Sequence, residues 1–306
     1  MTDILELVSE NRVFEGQLRK YKFKSAALGG LSANFNLYLP PQSTSAPVPV
    51  LVYLSDATSY KHDIKGNFFE PAAAHGIALL FPDTSPRGAG IEGEDSDWDF
   101  GTGAGFYLNA TNPKYSKHYN MLTHVTLELP QVIAAAGLPV DWTRQSIFGH
   151  SMGGHGALTL YLSSATKQYR SASAFAPICN PTQCPWGQKA FAGFLQGGVD
   201  EAKDIYDATE LIKKHKDPVN ILVHYGTADN FYKQKQLLPE NFAAAAKEAG
   251  KDVEIHAVEG YDHSYFFIST FAVSNTKLAS CLRSTKTERS YQLWVQISDR
   301  LCAKRG

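Results

Sequence analysis

The sequence predicts an α/β protein with a mostly parallel central sheet and helices on both faces. Two observations carry this. Short apolar runs of four to seven residues alternate with helical patterns along the chain. Hydrophobic residues make up 43% of the 306 and are spread over the whole length, which supports a buried core.

The elements follow in order. Val48 to Leu54 (VPVLVYL) is short, rich in valine and bounded by Pro47, the signature of a buried strand. Residues 67–75 suit a helix that ends at Gly76, and 77–81 a strand stopped by Pro82 and Asp83. Further strands are expected at 145–148, 171–175, 220–224 and 253–258. Helices are expected at 121–136, 153–164, 209–214 and 237–249. No repeat is present, and the linker-like run from Pro40 to Pro49 lies too early to divide domains. One α/β domain is expected over 1–271. Residues 272–306 read as an atypical tail, in which Leu293, Ile297 and Leu301 permit a short helix packed on the domain.

Charge and targeting narrow the function. Lys and Arg number 29 against 30 Asp and Glu, a net charge of −1 that gives no global reason to expect nucleic acid or an anionic membrane. The balance is uneven, because the tail holds seven basic and two acidic residues. The acidic N-terminus lacks the basic and apolar regions of a secretory signal, and no run is long enough to span a membrane. Four cysteines (Cys179, Cys184, Cys281, Cys302) are too sparse for a disulfide framework, and Cys179 and Cys184 lack a second pair at zinc spacing. A soluble, cytoplasmic protein with plain thiols and no metal is expected.

Directly after the strand ending at Phe148 stands Gly149-His150-Ser151-Met152-Gly153. This G-x-S-x-G run is a nucleophile elbow, a tight strand-to-helix turn that lifts the serine hydroxyl out of the sheet. A serine needs a base, and the base needs an orienting carboxylate. In this architecture they follow the serine along the chain as Asp or Glu, then His. Asp229 follows a strand within Gly226-Thr227-Ala228-Asp229, and His263 follows the last expected strand. Asp207, Asp217 and Asp252 read as solvated charges. Among the other histidines, His215 sits in a Lys-rich run, and His224 and His256 sit within strands. The backbone N–H of Met152 and one near Ala57, after the Val48–Leu54 strand, are the candidate oxyanion donors. These residues describe a serine hydrolase of esters or thioesters without naming the acyl group.

Longer stretches carry a resemblance. Phe81-Pro82-Asp83-Thr84-Ser85-Pro86-Arg87-Gly88, Trp98-Asp99-Phe100-Gly101, Gly103 to Tyr107, the elbow, Pro185 to Phe191 and Gly260 to Tyr265 resemble the S-formylglutathione hydrolase (esterase D) family of the α/β-hydrolase superfamily, over about residues 8–271. The resemblance implies cleavage of S-formylglutathione to glutathione and formate in formaldehyde detoxification. It implies the same triad of Ser151, Asp229 and His263, no cofactor, a small-molecule thioester substrate and a homodimer. The formyl pocket should be small. Trp186, with Trp98 and Tyr107, is its candidate wall.

The chain departs from the family at Leu54-Ser55-Asp56-Ala57-Thr58-Ser59, where members usually carry Leu-Ser-Gly-Leu-Thr-Cys. A carboxylate about 4 Å from a developing oxyanion repels it by up to ~4 kcal/mol at an effective dielectric of 20. Impaired turnover is therefore expected, relieved by Asp56→Gly. Two alternatives stay open: a general carboxylesterase with another acyl preference, and a hydrolase-like binding protein with a disabled oxyanion hole.

Overall fold

The structure, a computed structural model, describes residues 4–56, 66–163 and 168–280. Its first three strands, β1 (Glu6–Val13), β2 (Gly16–Ser25) and β3 (Leu31–Leu39), form an antiparallel meander beyond the strands expected from the sequence. Tyr21 and Phe23 on β2 and Ala33, Phe35 and Leu37 on β3 alternate inward, the period of a sheet with one buried face. β1 has no such alternation, and seven of its eight residues are exposed.

The remaining six strands are those the sequence marks. They are β4 (Val48–Leu54), β5 (Ala78–Pro82), β6 (Val140–His150), β7 (Tyr169–Phe175), β8 (Ile221–Gly226) and β9 (Glu254–Val258). Among the described residues they join the meander in one sheet of order β1-β2-β3-β5-β4-β6-β7-β8-β9. From β5 to β9 every neighbouring pair is parallel. All seven residues of β4 are buried, as a strand covered on both faces requires. Pro49 has no N–H for the ladder, and the register with β6 slips between Pro49 and Val50 to accommodate it.

The helices cover both faces. α1 (Phe69–His75) ends at Gly76, whose φ of 62° and ψ of 45° are the left-handed geometry of a C-cap. The expected helix over 121–136 is broken in kind: α2 (Met121–Thr123), a π turn (His124–Glu128) and α3 (Leu129–Ala135) follow one another. Pro130 cannot donate to the preceding turn, and the wider π turn absorbs that missing bond. α4 (Met152–Leu162) is buried nearly all round, between β6 and β7 on one side and α7 (Ala208–Lys214) on the other. α5 (Pro185–Phe194) and α6 (Gly198–Lys203) follow β7. α8 (Asn230–Lys233) and α9 (Pro239–Glu248) follow β8, and α10 (Tyr265–Ser280) packs on β6, β7 and α1. α10 runs across the boundary drawn at residue 271, and the expected helix at 293–301 lies outside the described residues. No helix among the described residues is long and apolar enough to cross a membrane.

Asp207 corrects one expectation. It is fully buried rather than solvated, whereas Asp217 and Asp252 are exposed. Asp207 Oδ1 accepts from the Thr209 N–H at 2.9 Å and caps α7. Its Oδ2 accepts from Asn180 Nδ2 at 2.8 Å, the Thr182 N–H at 3.0 Å and Thr182 Oγ1 at 2.6 Å. A short polar side chain next to a helix reads the same in sequence whether it caps in solvent or in the core. Asp207→Ala strands those buried donors, and urea unfolding is expected to show a loss of about 3 kcal/mol. A loss below about 1 kcal/mol, the level of an exposed cap, contradicts this assignment.

Candidate active site

The chain leaves β4 for β5 on one side and later returns to place β6 on the other. Neighbouring strands whose connections run in opposite directions open a crevice at their carboxyl ends. The segment Ser55-Asp56 after β4 and the turn at Ser151 after β6 both face that crevice, since Leu54 pairs with Gly149.

The backbones there approach so closely that side chains are excluded. A Cβ on Gly153 would stand 1.9 Å from the Leu54 carbonyl oxygen, and one on Gly149 2.2 Å from that of Gly153. Ser151 between them has φ 56° and ψ −116°, a conformation that costs on the order of 1–3 kcal/mol in a non-glycine residue. The surroundings hold it. Its N–H donates to the Phe175 carbonyl at 2.9 Å, and its carbonyl accepts from the N–H groups of His155 at 3.0 Å and Ile178 at 3.3 Å. The first turn of α4 begins at Met152, which is fully buried.

Asp229 and His263 are brought together. His263 Nδ1 donates to Asp229 Oδ2 at 2.5 Å, in a bond whose acceptor is completely buried. A carboxylate oxygen accepts and the ring N–H donates, so the proton of this bond sits on Nδ1. Asp229 Oδ1 accepts from the Phe231 N–H at 2.7 Å, which locks the carboxylate from its other side. The two loops are laced together by backbone bonds from Ala228 to Tyr261 and from Thr227 to Val258. The other sequence candidates have other partners: His215 meets the Leu162 carbonyl, His256 pairs with Glu254, and His224 is packed between the rings of His256 and Phe271.

His150 joins the pair to the elbow. Its buried ring lies 4.5 Å from the ring of His263, and its Nδ1 is 3.6 Å from Asp56 Oδ2. The Asp56 carboxylate is thus turned toward His150. Burial and the neighbouring His263 hold the proton affinity of His150 below the ordinary imidazole value, against the pull of Asp56 and Asp229. Ala57 lies outside the described residues.

The three aromatic candidates take different places. Trp186 is buried at the start of α5 and donates from Nε1 to the Asp99 carbonyl at 2.6 Å. Trp98 is 58% exposed, with its ring 5.3 Å from that of Trp186. Tyr107 is buried, and its hydroxyl donates to the Ser55 carbonyl at 3.0 Å, making it a strut for the segment after β4. Phe231, which sequence reasoning missed, links the groups: its ring is 4.6 Å from His263 and 6.3 Å from Trp186. Its position two residues after Asp229 was the available signal. Cys179 and Cys184 are buried free thiols, and burial pushes the Cys184 thiol up to about 11, which keeps it protonated.

A largely parallel sheet with a strained serine at its switch point and a carboxylate-bound imidazole beside it defines an esterase-type α/β hydrolase. The family model described as "Putative esterase" matches residues 25–278. The chain is 48% identical to the S-formylglutathione hydrolase of Rattus norvegicus over 277 residues, 89% of this chain and 96% of that one. It is 46% identical to the S-formylglutathione hydrolase of Arabidopsis thaliana, over 89% of this chain and 95% of that one. Among solved structures, an S-formylglutathione hydrolase from Agrobacterium tumefaciens superposes with a TM-score of 0.85 at 37% identity, covering 91% of this chain and all of the other. The chain belongs to the S-formylglutathione hydrolase family.

Two buried histidines outside the Asp229–His263 pair make the fold sensitive to acid. Burial pushes His155, among Phe106 and Phe191, and His224 down to about 4. Unfolded, each imidazole titrates near 6.5, so between those values the unfolded chain binds more protons. Stability is then complete above pH ~6.5 and falls as pH drops toward 4, by at most roughly 3 kcal/mol for each histidine. Urea unfolding at pH 7 and pH 4.5 is expected to show this fall, and His155→Leu to reduce it. A stability flat across that range rejects the assignment.

Proposed function

We propose that this protein is a serine thioesterase that hydrolyses S-formylglutathione to glutathione and formate. The observation that carries the reading is the Asp229–His263 bond standing beside an elbow that strains Ser151. In this reading His263 Nε2 takes the Ser151 proton as Oγ attacks the formyl carbon, while Asp229 holds the ring and stabilises its positive charge. The Met152 N–H and one from the Ala57 segment receive the oxyanion. Glutathione leaves as a thiol. A thiolate is a good leaving group, so the general acid does less here than in amide cleavage. Water then attacks the formyl ester through the same base and releases formate. The buried free thiols support a cytoplasmic setting, and a homodimer, testable by light scattering, belongs to the same reading.

Steady-state turnover of S-formylglutathione and p-nitrophenyl acetate tests the proposal. The thioester is expected to be the far better substrate, and Ser151→Ala to lower kcat on both by at least about 10⁴-fold with its circular dichroism unchanged. Preference for the small ester instead points to a general carboxylesterase, and no turnover of either by folded protein points to a binding protein.

Asp56 sets a second test. Its carboxylate is turned toward His150, 3.6 Å from Nδ1, but still carries a negative charge in the segment expected to supply an oxyanion donor, so Asp56→Gly is expected to raise kcat on the thioester, by up to about tenfold, or ~1.4 kcal/mol. An unchanged or lower rate in a folded variant contradicts this.

A further inference from the structure

We propose that Trp98, held in place by a clamp of Lys189 with Asp97 and Asp99, is the subsite that recognises the thiol half of the substrate. The inference rests on the thioesterase reading above and names the residues that select its leaving group.

The loop carrying Trp98 is tied to α5 on both sides of the indole. Lys189 Nζ donates to Asp97 Oδ2 at 2.8 Å and to Asp99 Oδ1 at 2.6 Å, one residue before and one after Trp98. Trp186 Nε1 bonds the Asp99 carbonyl, and the Phe100 ring stacks 4.3 Å from Phe194 at the far end of the same helix. Lys189 and Trp186 are three residues apart on α5 and so share a face. A segment anchored at this many points would ordinarily turn a tryptophan inward. Trp98 instead stays 58% exposed while its neighbours bear its loop. Exposed loop aromatics fixed by a rigid scaffold are a common form of recognition surface.

The place suits a leaving group. The rings of His263, Phe231, Trp186 and Trp98 are linked as successive neighbours, with centroid separations of 4.6, 6.3 and 5.3 Å, and the last of them is exposed. The formyl group fills only the inner end. The tripeptide thiol, on the order of 10 Å when extended, must lie outward along these rings. The clamp also offers the right charges. An ammonium has three donors, and Lys189 spends one on each aspartate, which leaves one for a substrate carboxylate. Asp97 is 55% exposed and can accept from an ammonium. Adjacent groups of both signs match the α-amino-acid head of the γ-glutamyl residue, and Trp98 provides the apolar floor between that head and the sulfur. Lys189 acts here as a positioning residue as well as a contact, since it sets the attitude of the indole.

Trp98→Ala, Lys189→Met and Lys189→Arg are compared with the wild type in two assays. One is kcat/KM for S-formylglutathione and for p-nitrophenyl acetate. The other is inhibition of p-nitrophenyl acetate turnover by free glutathione. For Trp98→Ala and Lys189→Met, the loss on the tripeptide thioester is expected to exceed the loss on the small ester by about tenfold, mainly through KM. Glutathione inhibition should weaken by a similar factor, and Lys189→Arg should recover part of both. Equal losses on the two substrates, or glutathione inhibition that the variants leave intact, overturn the subsite. A wild type that ignores S-formylglutathione overturns the proposed function. A wild type that hydrolyses it but is not inhibited by glutathione overturns the subsite alone.

Discussion

The contact between the end of β4 and the turn after β6 is the constraint on which the site depends. Leu54 and Gly149 are register partners, and the backbone of Gly153 presses on the Leu54 carbonyl where no Cβ would fit. That approach forces the chain to reverse within a few residues. The reversal puts Ser151 at positive φ, and the strained residue sits buried at the carboxyl end of β6 with α4 starting behind it. The strain is maintained by hydrogen bonds to Phe175, His155 and Ile178, so β7 and α4 hold the elbow in shape. The same contact brings the start of the segment after β4, Ser55 and Asp56, to the same end of the sheet as the serine.

Around the elbow the charges are organised in two layers. Asp229 is wholly enclosed and bonded from both oxygens, so it orients His263 with little freedom. Asp56 is partly open to solvent and lies against His150, whose ring in turn lies against His263. The electrostatic environment of the imidazole pair is therefore set by carboxylates from two separate loops. The charge of Asp56 acts on that environment through His150. The uncharged rings of Phe231, Trp186 and Trp98 form a second set of neighbours linked to His263, apart from the carboxylates that surround it.

Much of this was legible in the sequence, for identifiable reasons. Strand β4 announces itself because a strand buried on both faces must be apolar throughout, and VPVLVYL is. The α1 end at Gly76 was legible because few residues other than glycine take the left-handed cap easily. The β2–β3 alternation, Tyr21 with Phe23 and Ala33 with Phe35 and Leu37, was present but lies among polar neighbours that dilute it. β1 offered no pattern, because a strand exposed on both faces has none to offer. Asp207 was misplaced because capping chemistry looks alike in solvent and in the core. α5 was hidden behind Pro185 and two glycines, residues that argue against a helix unless, as here, the proline stands in the first turn.

By itself the sequence determined the α/β class, the elbow and the order of serine, carboxylate and histidine, since those depend on local period and on residues with few substitutes. Only the tertiary structure decided that Asp207 is enclosed, that Asp56 faces His150, and that Trp98 stands exposed while Trp186 and Tyr107 are buried. Those outcomes depend on where loops far apart in the chain converge. Convergence is set by the packing of the whole sheet, and no window of the sequence contains it.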